Sequence, residues 1–218
     1  MNNWQPEAVI FDMDGLLVDS ETVWLIAETE MIESRGHSYT DDVRAHIIGT
    51  RVDEFIVFLR DHYRLEPSAE ALAQELLDHM LRLIPTHVKP QPGANEVIQF
   101  VQERGWPLAI ASSSPQSVID AIVESQGWGD IFRIRCSAEY EAHGKPAPDV
   151  YITAAKRLQV NPAQCLALED SPNGARAAVA AGMVCYAVPD RSHSDHHAFN
   201  GITPYVFDSL YDVVDALR

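Results

Sequence analysis

The apolar run Ala8-Val9-Ile10-Phe11, closed by Asp12 and Gly15, reads as a short buried strand ending in a turn. Its isolation is the strongest constraint in the sequence. The next convincing strand pattern is Leu108-Ala109-Ile110-Ala111, and a lone buried strand has no partners for its backbone N–H and C=O groups. The run must therefore pair with strands that lie far along the chain.

Four helical patterns fill the gap. The first begins at Ser20, a good N-cap, sets Trp24, Ala27 and Met31 on one face, and stops near Gly36. The second, around residues 41–47, is short. The third carries Val52, Phe55, Ile56, Leu59 and Tyr63 on one face, and the fourth Leu72, Leu76, Met80 and Leu83. Lys89-Pro90-Gln91-Pro92-Gly93 then reads as a hinge.

Beyond it helices and strands alternate: helix 94–104, strand 108–111, helix 116–126, a weaker strand near 134–137, helix 148–158, strand 165–168, helix 172–181 and strand 184–188. Such alternation specifies a parallel sheet with helices on both faces. The expected fold is α/β, a doubly wound, Rossmann-like core made of residues 1–16 and 88–218. An all-helical cap, residues 17–87, interrupts its first crossover.

Hydrophobic residues make up 46% and charged residues 22%, ordinary globular values that supply material for such a core. The 32 acidic and 16 basic residues give a formal charge of −16, which would repel a nucleic-acid backbone. Cys136, Cys165 and Cys185 are odd in number and widely spaced, arguing for free buried thiols over a disulfide framework or a zinc site. The first basic residue is Arg35, so no secretory leader is expected, and no apolar run approaches the ~20 residues that span a bilayer. What remains is a cytoplasmic enzyme or binding protein, monomeric or weakly oligomeric, with neither nucleic acid nor membrane as partner.

In a doubly wound sheet, ligands gather at the carboxyl ends of the strands. The residues there are Asp12-Met13-Asp14-Gly15, Ser112-Ser113-Ser114 and Glu169-Asp170-Ser171, with Gly144-Lys145-Pro146 in a loop. Strand side chains alternate, so Asp12 and Asp14 can face one cavity while Met13 turns away. Carboxylates this close repel, which either raises a pKa or is relieved by a cation. Glu169 and Asp170 add hard oxygens of the type Mg2+ prefers. Alone, each acid could be a turn or cap residue; four at two strand ends point to one site. Ser112 sits where a helix begins and can cradle a phosphate, whereas Ser114 reads as that helix's cap. Lys145 is the fixed cation such a site wants. His193, His196 and His197 lie in a polar loop and read as surface.

These segments, in this order, resemble the four motifs of the haloacid dehalogenase superfamily. Phe11-Asp12-Met13-Asp14-Gly15-Leu16, Lys145-Pro146-Ala147-Pro148-Asp149 and Leu168-Glu169-Asp170-Ser171-Pro172-Asn173-Gly174 resemble its β-phosphoglucomutase-like, helical-cap phosphatases, and the likeness covers nearly the whole chain. It implies that Asp12 is the nucleophile that becomes an aspartyl-phosphate. Asp14 would then protonate the leaving alkoxide and deprotonate the hydrolytic water. Mg2+ would bind Asp12, the main-chain carbonyl of Asp14 and Asp170, with Glu169 bound directly or through water. Ser112, the backbone N–H of Ser113 and Lys145 would hold the phosphoryl oxygens.

The resemblance also bears on the reaction. A dehalogenase-like member has no alkoxide to protonate and lacks the second acid, so Asp14 favours phosphoryl transfer. The mutase branch carries a cap histidine at the position of Trp24, so a phosphatase acting on a small phosphorylated metabolite, a sugar phosphate first, is expected, with a phosphomutase as the alternative. A phospho-aspartate receiver-type module shares the sheet, acids and lysine but needs neither the helical insertion nor Asp14. Substrate choice should lie on a cap that closes over the aspartates, with Glu21, Trp24 and Arg51 as candidate contacts. Trp24 could equally pack the cap, and Arg51 could be a solvated helix start.

Overall fold

The computed structural model describes residues 4–47, 50–190 and 195–218. Strand β1 (Ala8–Phe11) lies at the centre of a five-stranded parallel sheet with β4 (Leu108–Ser112), β5 (Arg135–Ser137), β6 (Cys165–Glu169) and β7 (Val184–Ala187), in the order β5-β4-β1-β6-β7. Its neighbours are thus the distant strands that its isolation demanded. Val9 pairs with Leu108 on one side and Leu166 on the other, and Phe11 with Ile110 and Leu168.

All four β1 side chains are fully buried because both faces of the sheet are covered. Ala8 and Ile10 enter a core formed with α7 (Asp149–Leu158) and α8 (Pro172–Ala180). Val9 and Phe11 enter the opposite core with α5 (Ala94–Glu103), α6 (Gln116–Ser125) and α9 (Leu210–Leu217). Full burial of Ile10 or Phe11 contributes about 1.5–3 kcal/mol relative to exposure. Such packing fixes the strand end that carries Asp12.

Between β1 and α5 stand α1 (Glu21–Glu33), α2 (Asp41–Arg44), α3 (Val52–Tyr63) and α4 (Ala69–His87). Their apolar stripes meet: Trp24, Ala27 and Met31 of α1, Phe55, Ile56 and Leu59 of α3, and Leu72, Leu76 and Met80 of α4 share one continuous core. Helix α4 also packs on α6, so the inserted helices rest on the sheet domain. The two chain crossings at their base pair as an antiparallel ribbon, β2 (Val18–Asp19) with β3 (Lys89–Pro90). That ribbon occupies the segment expected to be a plain hinge. The backbone N–H of Gln91 donates to Leu17 O and its side-chain amide to Gly15 O, tying the second crossing to the turn after β1.

Among the described residues no helix is long and apolar enough to cross a membrane. Cys136, Cys165 and Cys185 are free and buried. His196 and His197 lie in an exposed turn, while His193 lies outside the described residues.

Candidate active site

The parallel register brings the strand ends together. Asp12 directly follows β1, its N–H bonded to Leu168 O at 2.9 Å, and Glu169 and Asp170 close β6 beside it. Carboxylate oxygens of Asp12, Glu169 and Asp170 lie within 4.8 Å of one another, and all three side chains are buried. The chain approaches itself so closely here that two glycines are required. A Cβ on Gly15, whose φ is +82°, would stand 2.2 Å from Asp170 Oδ2, and one on Gly174 would stand 1.8 Å from Glu169 Oε1.

Lys145 reaches this cluster from its loop with a side chain only 4% exposed. Its ammonium donates to Asp12 Oδ1 at 2.5 Å, Glu169 Oε1 at 2.7 Å and Ala111 O at 3.0 Å, which uses all three N–H groups. Burial opposes the charge, but Asp12 and Glu169 outweigh it and hold the ammonium above its ordinary range. Burial pushes Asp12 and Asp170 well above the usual carboxylate range. Lys145 opposes the rise at both, while Glu169 and Asp14 add to it at Asp12 and Asp12 and Glu169 add to it at Asp170. Three carboxylates beside one ammonium leave negative charge unmatched, which a divalent cation on hard oxygen ligands would relieve.

Glu169 is fully enclosed. Oε1 accepts from Lys145 and from the Tyr151 hydroxyl at 2.6 Å, while Oε2 accepts from the N–H groups of Asp170 and Ser171 and the Ser171 hydroxyl at 3.2 to 3.3 Å. The same serine caps α8 through Gly174 N–H.

Asp14, close enough to add to the rise at Asp12, gathers hydroxyls. Ser20 donates to Oδ1 at 2.5 Å, and Ser112 and Ser114 each donate to Oδ2 at 2.9 Å. Met13 is fully buried in the core, as strand alternation requires. Two expectations change here. Ser20 holds the N-cap position of α1 but makes no side-chain cap bond, and Ser114 does not cap α6, whose N-cap is Pro115; both hydroxyls are spent on Asp14. Ser112 also accepts from Ser114 N–H at 2.9 Å, which fixes the turn after β4.

Above Asp14 opens a cavity of roughly 430 Å3 including its mouth, walled by Glu21, Trp24, Glu28, Thr50 and Phe55 of the inserted helices and by Ser113 and Ser114 of the sheet domain. Glu21 and Trp24 therefore sit where substrate contacts were expected, and Trp24 also packs edge to face on Phe55. Arg51 is not on that wall. Its guanidinium is held by Asp53 at 2.5 and 2.9 Å and by Glu141 O at 3.1 Å, bridging the inserted helices to the loop that carries Lys145.

Behind the wall, Arg44 Nη2 donates to Glu21 O at 2.7 Å and Glu21 Oε2 at 3.0 Å, its Nε lies 3.6 Å from Glu28 Oε2, and Tyr39 donates to the same oxygen at 2.8 Å. Burial first, then Asp14, lifts Glu21 to about 8 against the pull of Arg44. Burial lifts Glu28 to about 7 against Tyr39 and Arg44. Neither this cluster nor Tyr151 is visible in the spacing of the sequence. A hint for Tyr151 lies in its place one turn into a helix that starts beside Lys145.

The sequence pattern of the haloacid dehalogenase-like hydrolases matches residues 6–182. The chain is similar to the phosphorylated carbohydrates phosphatase of Thermotoga maritima, 32% identical over 177 residues that cover 81% of this chain and 82% of that protein. It is 33% identical to hexitol phosphatase B of Escherichia coli over 185 residues, 84% of this chain and 83% of that one. Among solved structures, CbbY from Rhodobacter sphaeroides in complex with phosphate superposes with a TM-score of 0.86 at 26% identity, covering 96% of each chain.

Proposed function

The chain belongs to the haloacid dehalogenase-like hydrolases, and on that premise we propose that it is a Mg2+-dependent phosphatase that hydrolyses a small phosphorylated metabolite, a sugar phosphate first, through an aspartyl-phosphate on Asp12. The observation that carries the reading is the buried Asp12–Lys145–Glu169 chain beside Asp170, at the same strand ends from which Asp14 reaches the cavity lining. Relatives named for phosphorylated carbohydrates and hexitols support the substrate class. A cytoplasmic setting fits the three buried free thiols.

The residues present fit the metal. Asp12, Asp170 and the main-chain carbonyl of Asp14 would hold it, while Glu169, both of whose oxygens are occupied, would act from the outer side. When bound, Mg2+ supplies positive charge against the phosphoryl oxygens and the attacking carboxylate.

Asp12 forms its O–P bond as the ester O–P bond breaks, and Asp14 gives its proton to the departing alkoxide. Asp14 then takes a proton from water, which attacks phosphorus, breaks the acyl phosphate and releases inorganic phosphate with Asp12 restored. Lys145 trades its bond to Asp12 for a phosphoryl oxygen while Glu169 keeps it in place. Ser112 and the N–H of Ser113 bind the other phosphoryl oxygens, and Ser20 keeps Asp14 oriented as Ser112 turns away.

The test is phosphate release from p-nitrophenyl phosphate and a panel of phosphorylated metabolites, with Mg2+ and after chelation. Release that needs the metal and is abolished by Asp12→Asn is expected. Hydrolysis by that variant near the wild-type rate would refute the assignment.

A further inference from the structure

The loop that carries Lys145 is held from two sides. On its inner side the Ser137 hydroxyl donates to Ser114 O at 2.6 Å, and the Glu139 carboxylate accepts from Gln116 N–H at 3.0 Å, so the loop also backs the turn of Ser112, Ser113 and Ser114. On its outer side it meets Arg51, the N-cap residue of α3 in the inserted helices. Asp53 takes the guanidinium at Nε and Nη2, which leaves Nη1 to donate to Glu141 O at 3.1 Å. The stem of the same side chain lies over Gly144, where a Cβ would stand 2.8 Å from Arg51 Cδ and 3.2 Å from Cγ. Gly144 is outside the left-handed region, so its backbone does not call for glycine. What a side chain would meet there is the arginine of the inserted helices.

We infer that Arg51 is a positioning residue: through it the inserted helices seat on Glu141 and Gly144, and this seat fixes the loop that presents Lys145 and backs the phosphate-binding turn. The inference rests on the phosphatase reading of the same site. Lys145 gives up Asp12 when a phosphoryl oxygen arrives, and its place then depends on Glu169 and on the backbone that carries it. A reacting group misplaced by ~1 Å can cost ~100-fold in rate, so a loop left slack by a fraction of that is read in turnover. All three guanidinium nitrogens of Arg51 are already engaged, so it acts through the loop and not on the ester.

The experiment is a double-mutant cycle of Arg51→Ala and Gly144→Ala in the purified full chain with Mg2+. It is read on p-nitrophenyl phosphate, which has no second anionic group for an arginine to bind. Each single variant should lower kcat by about fivefold or more, with KM changed by less than about twofold. Gly144→Ala pushes on a stem whose head is clamped, whereas beside Arg51→Ala the new methyl has room. The double variant should therefore match Arg51→Ala within about twofold instead of showing the product of two losses. Arg51→Lys keeps a stem but cannot grip Asp53 with a fork and reach Glu141 O at once, so its kcat should fall between wild type and Arg51→Ala. Amide exchange read by mass spectrometry is independent of turnover. The N–H groups of Glu141 and Ala147, bonded to Ala138 O and Gly144 O, should exchange at least about threefold faster in Arg51→Ala, with β6 unchanged. Losses that multiply in the double variant, wild-type kcat in Arg51→Ala, a loss confined to KM, or unaltered exchange of this loop overturns the inference and leaves the phosphatase reading standing. A wild type that hydrolyses no ester ends the phosphatase reading, and this inference with it.

Discussion

Tyr151→Phe deletes one oxygen from the interior of the site and should be felt in two ways. The hydroxyl is fully buried and donates at 2.6 Å to Glu169 Oε1, itself fully buried. Burial first, then Glu169, pushes the phenol well above its ordinary pKa, so it remains a donor across the working range. A hydrogen bond to a charged acceptor contributes ~1.5–3 kcal/mol. Glu169 would keep Lys145 on the same oxygen and three donors on Oε2, so the lower part of that range, about 1.5–2 kcal/mol, is expected. For a chain of this size each kcal/mol moves Tm by ~2–4 °C, giving a fall of about 3–8 °C by differential scanning calorimetry. Because Tyr151 and Lys145 share Oε1, kcat should also drop several-fold as the ammonium loses its fixed anchor. Tyr140→Phe is the control, since that side chain is 73% exposed and should change neither quantity. If Tyr151→Phe matched this control, the enclosed glutamate would not be the strut described here.

Two further outcomes follow from the same geometry. Gly174→Ala places a methyl where the Glu169 carboxylate stands, so it should displace Glu169 and Lys145 together, costing about 1–3 kcal/mol of stability and most of the activity; urea unfolding and phosphate release measure the two losses. Glu21 binds its proton more tightly in the folded chain, at about 8 against an ordinary 4.5, so its contribution turns unfavourable as pH rises through that interval. The stability of Glu21→Gln relative to wild type should therefore grow between about pH 4.5 and pH 8, by up to a few kcal/mol, and level off above; a difference independent of pH in urea titrations would contradict this.

Much of this was legible because the informative signals are local and periodic. The β1 run and the later alternation dictate a central parallel strand with distant partners. Acids at two strand ends lie side by side once β1 pairs with β6. The β2–β3 ribbon escaped because two residues per strand carry no periodicity and Lys89-Pro90 has the composition of a hinge. Helix α9 has a strong apolar face but follows no strand pattern that would bring it into the alternation. Ser20 and Ser114 read as helix caps because a hydroxyl before a helix usually is one. Only the folded turn after β1, where Asp14 comes within reach, shows a stronger acceptor. Arg51 shows the converse, a plausible substrate contact whose donors the fold has already engaged.

The central claim is that the Asp12 carboxylate takes the phosphoryl group. Rapid acid quenching during turnover of a phosphate ester with Mg2+, followed by peptide mass spectrometry, tests it most directly. The account predicts a phosphoryl group on the peptide carrying Asp12, sensitive to hydroxylamine and absent from Asp12→Asn. Continued turnover with no such adduct, or with the phosphoryl group on another side chain, would contradict it.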